Sequence, residues 1–135
     1  MTLVDAGPLI AIINRKDDDH RSCVEVLCEL QSPLVTTWAA VTEAMYFAGD
    51  RIGWEAQERL WRMIMRGDLV VHEIGEQDVR RMHDLMKKYR DLPMDLADAT
   101  LVVLAERLGV TRIFTLDRDF KSYRLHGRKS FDIVP

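Results

Sequence analysis

Residues 2–13 are Thr2-Leu-Val-Asp5-Ala-Gly-Pro-Leu-Ile-Ala-Ile-Ile13. Thr2 to Asp5 predicts a short buried strand that ends at a carboxylate. Gly7-Pro8 then opens an apolar helical stretch from Leu9 to Ile13, since proline is favoured near a helix start. A buried strand that leads directly into a helix is typical of layered α/β folds.

The same alternation of strand and helix continues along the chain. Further short apolar strands are predicted at 34–37, 69–74, 112–115 and near 131–134. Helices are predicted at 20–30 (stopped by Ser32-Pro33), 39–48 (broken at Gly49), 54–65, 76–89 and 95–108. The strands are apolar runs without alternation, as expected when both faces of a sheet are covered. We therefore expect an α/β fold with a mainly parallel sheet, formed by one domain over residues 1–135.

Composition excludes several classes of protein. Hydrophobic residues make up 47% of the 135, which is enough for a sizeable core. The longest apolar runs, about ten residues, are too short to span a bilayer, and we expect no signal peptide. Cys23 and Cys28 match neither a zinc knuckle nor a redox pair, so we interpret them as reduced thiols. A cytoplasmic location is the resulting expectation.

The net charge of −3 at first argues against a nucleic-acid partner. Residues 112–129, however, hold six basic residues against Asp117 and Asp119, a balance of +4 that leaves −7 elsewhere. A basic segment beside acidic residues suits the binding of a phosphate backbone. Charge alone still favours the simpler interpretation, in which these are solvated surface residues.

Two acids follow strands at one predicted edge of the sheet. Asp5 ends the first strand, and Asp117 lies just past Thr115 at the end of the fourth. Taken singly, each is explained as a polar loop residue. Because ligand sites in open parallel sheets form beyond the carboxyl ends of the strands, the two together indicate a site.

Two further acids lie within helices. Asp95-Leu-Ala-Asp98 has the spacing of a capping box, which explains Asp95 as the cap and places Asp98 in the first helical turn. Glu43 stands among apolar residues, where a carboxylate is costly to bury unless it is paired or bound to metal. A Glu43 exposed to water at the margin of the apolar face is equally consistent with the pattern.

Four gathered carboxylates indicate a cation. Mg²⁺ and Mn²⁺ prefer oxygen ligands, and crowded carboxylates repel each other unless a cation neutralises them. Such a metal activates water and stabilises charge on a transferring phosphate. The four histidines, at 20, 72, 83 and 126, show no ligand spacing, and no phosphate-cradling glycine motif competes for the role.

Four segments together resemble the PIN-domain superfamily and, within it, the VapC-type toxins. They are Leu3-Val-Asp5-Ala-Gly-Pro-Leu-Ile-Ala11, Thr36-Thr-Trp-Ala-Ala-Val-Thr-Glu43-Ala, Leu96-Ala-Asp98-Ala and Ile113-Phe-Thr115-Leu-Asp117-Arg-Asp119-Phe120. Each segment alone is a weak signal, whereas the ordered set is fairly specific and covers essentially the whole chain. The resemblance implies a three-layer α/β/α sandwich and a metal-dependent endoribonuclease that cleaves single-stranded RNA. It also implies a type II toxin that forms a homodimer and is inhibited by a cognate antitoxin protein.

The resemblance also assigns roles to individual residues. The catalytic acids are Asp5, Glu43, Asp98 and Asp117, and Mg²⁺, or alternatively Mn²⁺, is bound by Asp5, Asp98 and Asp117. Asp95 and Thr115 are matched to supporting positions, and Asp119 is an alternative to Asp117 as ligand. Arg118, Lys121 and Arg124 are expected to bind RNA. Ala6 departs from the pattern, because relatives often carry a hydroxyl there.

The helices at 39–48 and 54–65 carry the predicted contact surface for a second copy or an antitoxin. Trp54, Trp61, Ile64 and Met65 are predicted to share one helical face. Core packing explains most of the apolar residues in these helices. Trp54 and Trp61 are the best candidates for an interface.

Two other functions fit parts of the sequence. Asp117-Arg-Asp119 resembles the Asp-x-Asp motif of phosphoryl-transfer α/β domains, but that motif normally follows the first strand. A non-catalytic RNA-binding or regulatory module on a PIN scaffold is the second alternative. An intact set of four acids argues against it, and metal-dependent cleavage of RNA separates the two.

Overall fold

The computed structural model describes residues 1–30 and 33–135. Its strands are β1 (Thr2–Val4), β2 (Leu34–Thr37), β3 (Leu69–His72), β4 (Arg112–Phe114), β5 (Arg124–Leu125), β6 (Lys129–Ser130) and β7 (Asp132–Val134). Its α-helices are α1 (Ala6–Ile13), α2 (His20–Glu29), α3 (Trp38–Arg51), α4 (Trp54–Met65), α5 (Val79–Lys88) and α6 (Leu96–Leu108). Short 3₁₀ turns occupy Glu76–Asp78 and Arg118–Lys121. None of the helices in this described part of the chain is long and apolar enough to cross a membrane.

Five strands form one parallel sheet in the order β3-β2-β1-β4-β7. The chain begins in the centre of the sheet and steps outward through β2 and β3. It then returns to the other side of β1 with β4 and β7. The predicted parallel α/β fold is confirmed. β5 and β6 form a separate antiparallel hairpin that the sequence analysis missed.

Two hydrophobic clusters cover the two faces of the sheet and create three layers. α1 to α4 pack against one face, where Val4 and Phe114 point. α5, α6 and the hairpin pack against the other, where Leu3 and Ile113 point. Successive residues of a strand point to opposite faces, so strands that are apolar at every position bury both faces.

The predicted break of the third helix at Gly49 is wrong, because α3 continues to Arg51. The side-chain amide of Gln57 on α4 lies directly over Gly49 and donates to the carbonyl of Met45 at 3.2 Å. A Cβ at position 49 would collide with that amide. Gly49 therefore lies beneath the flexible end of the Gln57 side chain and does not end the helix. Ser32, part of the predicted stop after α2, lies outside the described residues.

The predicted shared face of α4 is only partly correct. Ala56 and Leu60 are buried, and Ile64 packs against the core with them. Trp54 and Met65 are instead exposed, and Trp61 is 38% exposed. The three outward residues form an apolar stripe, which we call the α4 stripe.

A candidate metal centre at the sheet edge

The candidate site lies where the strand order reverses. β1 and β4 are neighbours, and the chain leaves them towards opposite sides of the sheet. Such a reversal opens a crevice at the carboxyl ends of the two strands, where open α/β folds bind their ligands. Asp5 directly follows β1, and Asp117 lies three residues beyond β4.

Asp5 is held by both neighbouring elements. It caps α1, and its Oδ1 accepts a hydrogen bond from the backbone N–H of Ala6 at 2.7 Å. Its Oδ2 accepts from the hydroxyl of Thr115 at 3.0 Å. The β1–β4 register brings these residues together, since the Asp5 N–H donates to the carbonyl of Phe114. Asp5 is thus buried in one fixed orientation.

Asp98 enters the crevice from the first turn of α6. The predicted capping box is confirmed, because the Asp98 N–H donates to Asp95 Oδ1 at 2.8 Å and the Asp95 N–H faces Asp98 Oδ2 at 3.4 Å. The hydroxyl of Tyr123 also donates to Asp98 Oδ2, at 3.1 Å. Tyr123 is fully buried against Phe120 and Tyr89, so it holds the Asp98 carboxylate from behind.

Asp117 is positioned by a chain of short-range hydrogen bonds. Its N–H donates to Thr115 Oγ1 at 3.0 Å, and its Oδ1 accepts from the N–H of Asp119 at 2.9 Å. Thr115 therefore contacts both Asp5 and Asp117. Asp119 is the second residue of the following 3₁₀ turn, and it is not among the residues that line the crevice. The structure brings Asp117, rather than Asp119, to the acids on the other elements.

Three carboxylates converge in the crevice. One oxygen each of Asp5, Asp98 and Asp117 lies within 4.8 Å of the others. The surrounding cleft, which we call the acidic cleft, has a volume of about 280 Å³ and is also lined by Glu43 and Asp95. Glu43 is half-buried on α3 and stands outside the group of three. No lysine, arginine or histidine of residues 1–30 and 33–135 lines the acidic cleft.

The crowding of acids opposes their ionisation. Burial, followed by the nearby charges of Asp95 and Asp5, raises the pKa of Asp98 to about 7, although its hydrogen bonds oppose the rise. Burial also raises the pKa of Asp5, against the hydrogen bond from Ala6. The pKa of Glu43 is raised by burial and then by the charges of Asp95, Asp5 and Asp117. Negative charge gathered without a protein cation favours the entry of an external one.

The donor set fits a hard divalent cation. All of the converging groups are carboxylate oxygens, which Mg²⁺ and Mn²⁺ prefer. Asp5 and Asp117 each keep one oxygen in a hydrogen bond to a backbone N–H, so their orientation is set without a metal. Zinc is disfavoured, since no cysteine or histidine belongs to the described cluster.

The predicted RNA-binding residues lie close to the acids along the chain. Arg118 and Lys121 are exposed on the turn that follows Asp117. Arg124 is half-buried, and its Nη1 donates to the carbonyls of Lys121 and Tyr123 at 2.7 and 2.9 Å. Arg118 and Lys121 are therefore free to reach a ligand, whereas Arg124 partly serves the local backbone.

Sequence reasoning missed Tyr123. Nothing in the sequence around it distinguishes a tyrosine that donates to a carboxylate from one that only packs. The signal that could have indicated it is its position, because Tyr123 lies shortly after the turn that carries Asp117. The hairpin of β5 and β6 then folds this part of the chain back against α6.

Comparisons with known proteins agree with this architecture. The PIN domain family model matches residues 2–125. Ribonuclease VapC26 of Mycobacterium tuberculosis is 28% identical over 134 residues, which cover 98% of this chain and 99% of that protein.

Two solved structures share the fold. The VapC20 toxin of Mycobacterium tuberculosis, described as cleaving the sarcin–ricin loop, superposes with a TM-score of 0.84 at 16% identity, covering 90% of this chain and 94% of that one. A toxin–antitoxin complex from Klebsiella pneumoniae superposes with a TM-score of 0.65 at 18% identity, covering 89% of this chain and 90% of that one.

Proposed function

Because the chain belongs to the PIN-domain family, we propose that it is a metal-dependent endoribonuclease that cleaves single-stranded RNA. We further propose that it is the toxin of a type II toxin–antitoxin pair and acts in the cytoplasm as one domain over residues 1–135. The observation that carries the proposal is the convergence of Asp5, Asp98 and Asp117 in a cleft without a protein cation. The relative named Ribonuclease VapC26, similar over nearly the full length, supports the choice of RNA.

In this proposal Asp5, Asp98 and Asp117 hold Mg²⁺, or Mn²⁺ in its place. The bound ion supplies activation of water and neutralisation of charge on the phosphate. Thr115 donates to Oδ2 of Asp5 and Tyr123 donates to Oδ2 of Asp98, and these bonds orient the two carboxylates. The carboxylates are therefore oriented before the cation binds, which lowers the free-energy cost of binding it.

Glu43 has a different role from the other three acids. It reaches the same cleft from α3 but stands outside the converging group. We assign Glu43 the role of general base: its carboxylate orients the attacking water and accepts a proton from it. A raised pKa suits this task, because a general base works best when its pKa approaches the working pH.

Arg118 and Lys121 supply the positive charge that the cleft itself lacks. Both are exposed on the turn next to Asp117, so they can contact phosphates that flank the bond to be cut. Arg124 contributes less directly, since one of its nitrogens is engaged by the backbone. This arrangement lets a chain of net charge −3 bind RNA through a local basic segment.

For partners, we propose a homodimer and a cognate antitoxin. The exposed α4 stripe, Trp54, Trp61 and Met65, is the surface we assign to such contacts. Large apolar residues gathered on a solvent-facing helix are typical of protein interfaces. The toxin–antitoxin complex among the structures of the same fold supports the proposal of an antitoxin as a partner.

Cleavage of a mixed single-stranded RNA pool tests the proposal. Wild-type protein is incubated with Mg²⁺, with Mn²⁺ or with chelator, beside Asp98→Asn and the exposed control Asp50→Asn. We expect metal-dependent cutting by wild type and Asp50→Asn, and none by Asp98→Asn. Full activity of Asp98→Asn would overturn the site. RNA binding by folded, metal-supplied protein without any cutting would instead support the non-catalytic RNA-binding module.

A further inference from the structure

A second cavity lies on the same edge of the sheet, beside the acidic cleft. It has a volume of about 420 Å³ and opens between the starts of α3 and α6 and the loop after β3. Asp95 lines the acidic cleft and the next residue, Leu96, lines this cavity. Consecutive Cα atoms are about 3.8 Å apart, so the two spaces are lined by directly neighbouring residues at the start of α6. We call this second space the Trp38 cavity.

The walls of the Trp38 cavity are apolar and its deeper part is polar. Trp38, Ile74, Met82 and Leu96 supply apolar surface. Trp38 and Leu96 are 44% and 54% exposed, although both are large apolar residues. Thr37 and Thr100 are buried, and their hydroxyls share a hydrogen bond of 2.8 Å. The one charged residue of the described chain that lines the cavity is the acidic Glu73, so the cavity is not built for a phosphate.

Hydrogen bonds hold the backbone around Trp38 in place. Trp38 is the first residue of α3, and Thr37 caps that helix by accepting from the N–H of Ala40. The hydroxyl of Thr42 donates to the Trp38 carbonyl at 2.7 Å. The bond between Thr37 and Thr100 ties the start of α3 to α6, which also carries Asp98. The helix that carries Trp38 is thus fixed at its start to the helix that carries Asp98.

We propose that the Trp38 cavity binds one nucleobase of the single-stranded RNA, stacked on Trp38, while the adjoining phosphate lies at the acidic cleft. This inference rests on the proposed function and adds to it a place for a base. Proteins that bind single-stranded RNA stack unpaired bases on aromatic side chains and hydrogen-bond their edges. The flat face of a base matches the apolar walls of the cavity. The Thr100 hydroxyl donates to the Ala97 carbonyl and accepts from Thr37, so the two threonine oxygens can act towards a base edge only as acceptors. The position of the Trp38 cavity beside the acidic cleft, on the same edge of the sheet, favours a substrate group over a segment of another protein.

The test compares RNA with and without bases. Chelated wild-type protein is titrated with a fluorescein-labelled eight-nucleotide single-stranded RNA of mixed sequence, and with an abasic ribose-phosphate strand of the same length. The variants are Trp38→Ala, the conservative Trp38→Phe, and Tyr46→Ala, an exposed aromatic residue of α3 that lines neither the cavity nor the acidic cleft. Thermal unfolding checks that each variant folds. Cleavage of the same RNA in Mg²⁺ follows in parallel.

We expect Trp38→Ala to weaken binding of the base-containing RNA by about tenfold, the usual size of a stacking contact. Binding of the abasic strand should stay unchanged, Trp38→Phe should retain most of the affinity, and Tyr46→Ala should match wild type. Wild-type affinity and cleavage rate in Trp38→Ala would overturn the inference and leave the nuclease intact, with the cavity then open to a protein segment. A wild type that neither binds nor cuts RNA would overturn the proposed function, and this inference with it.

Discussion

Replacing Asp98 with Asn tests whether the acidic cleft is electrostatically strained without metal. Asp98 ionises with a pKa of about 7 in the folded protein and about 3.8 in a free chain. The folded state therefore binds this proton more tightly than the unfolded chain does. Stability of the metal-free wild type should fall as pH rises from about 4 to about 7, and the loss should be complete above that. Asn removes the charge and keeps an oxygen that can accept from Tyr123.

The size of the effect follows from the same shift. Each pKa unit corresponds to about 1.36 kcal/mol, so the full shift gives an upper bound of about 4 kcal/mol. Because the cleft is open to solvent, which screens the charges, we expect about 1–2 kcal/mol. For a domain of this length, such a gain in the free energy of unfolding raises Tm by about 4–7 °C.

The assay is thermal unfolding in chelator at pH 5 and at pH 8. At pH 8, Asp98→Asn should melt about 4–7 °C above wild type. At pH 5 the difference should be smaller, because only part of the stability of the wild type has been lost there. Asp50→Asn, an exposed acid on α3, should follow wild type at both pH values. Adding Mg²⁺ should raise Tm of the wild type and of Asp50→Asn but not of Asp98→Asn, since ligand binding stabilises the folded state. An Asp98→Asn variant that is less stable than wild type at both pH values would refute the reasoning.

Three further predictions concern residues around the cleft. Tyr123→Phe removes a hydrogen bond that lowers the pKa of Asp98. The acidic limb of the pH profile of kcat/KM should therefore move to higher pH. An unchanged profile would show that Tyr123 contributes packing alone. Glu106→Gln breaks a paired contact with Arg81, at 2.8 and 2.9 Å, and a bond to the N–H of His126. Urea unfolding at pH 7 should show a loss of about 2 kcal/mol. The pKa of Glu106 is lowered chiefly by its bond to Arg81, against the opposing effect of burial. The difference in unfolding free energy between Glu106→Gln and wild type should therefore shrink as pH falls through that pKa. A difference that stays constant with pH would contradict the ion pair. Arg118→Gln combined with Lys121→Gln should weaken RNA binding in chelator and reduce the slope of log K against log[salt] by about 1.4, whereas an unchanged slope would place these residues away from the phosphates.

The parallel sheet was predictable because its strands are short and apolar at every position. Leu3 and Val4 already show this, since a strand with one solvent face would alternate. The position of Asp5 at the end of β1 followed from the same stretch, because the polar residue marks where the apolar run of the strand stops. The capping box at Asp95 and Asp98 was equally local, since three residues of spacing contain the whole motif.

The parts that failed depend on contacts between distant residues. Gly49 has the composition of a helix stop, yet the packing of Gln57 from another helix decides its role. The hairpin of β5 and β6 turns at His126-Gly127, where both residues have positive φ, and His-Gly is not a strong hairpin signal. Ile64 and Trp61 both suit an apolar face, and only the tertiary contacts of α4 separate the core residue from the exposed one.

The residues of the candidate site were predictable from the sequence, but their arrangement in space was not. Sequence reasoning named Asp5, Glu43, Asp98 and Asp117, and all four line the acidic cleft. It left Asp117 and Asp119 interchangeable, because two acids in one turn differ only in which way each points. Their roles as ligands and as a general base stay predictions.

Mn²⁺ titration by isothermal calorimetry tests the central claim most directly, because it measures the cation without depending on the RNA sequence. Wild type, Asp5→Asn, Asp98→Asn, Asp117→Asn and the control Asp50→Asn are compared at pH 8. We predict saturable binding to wild type and Asp50→Asn, and binding at least tenfold weaker in each of the three cleft variants. Equal binding by all five proteins, or none by folded wild type, would contradict the assignment of a metal to these three carboxylates.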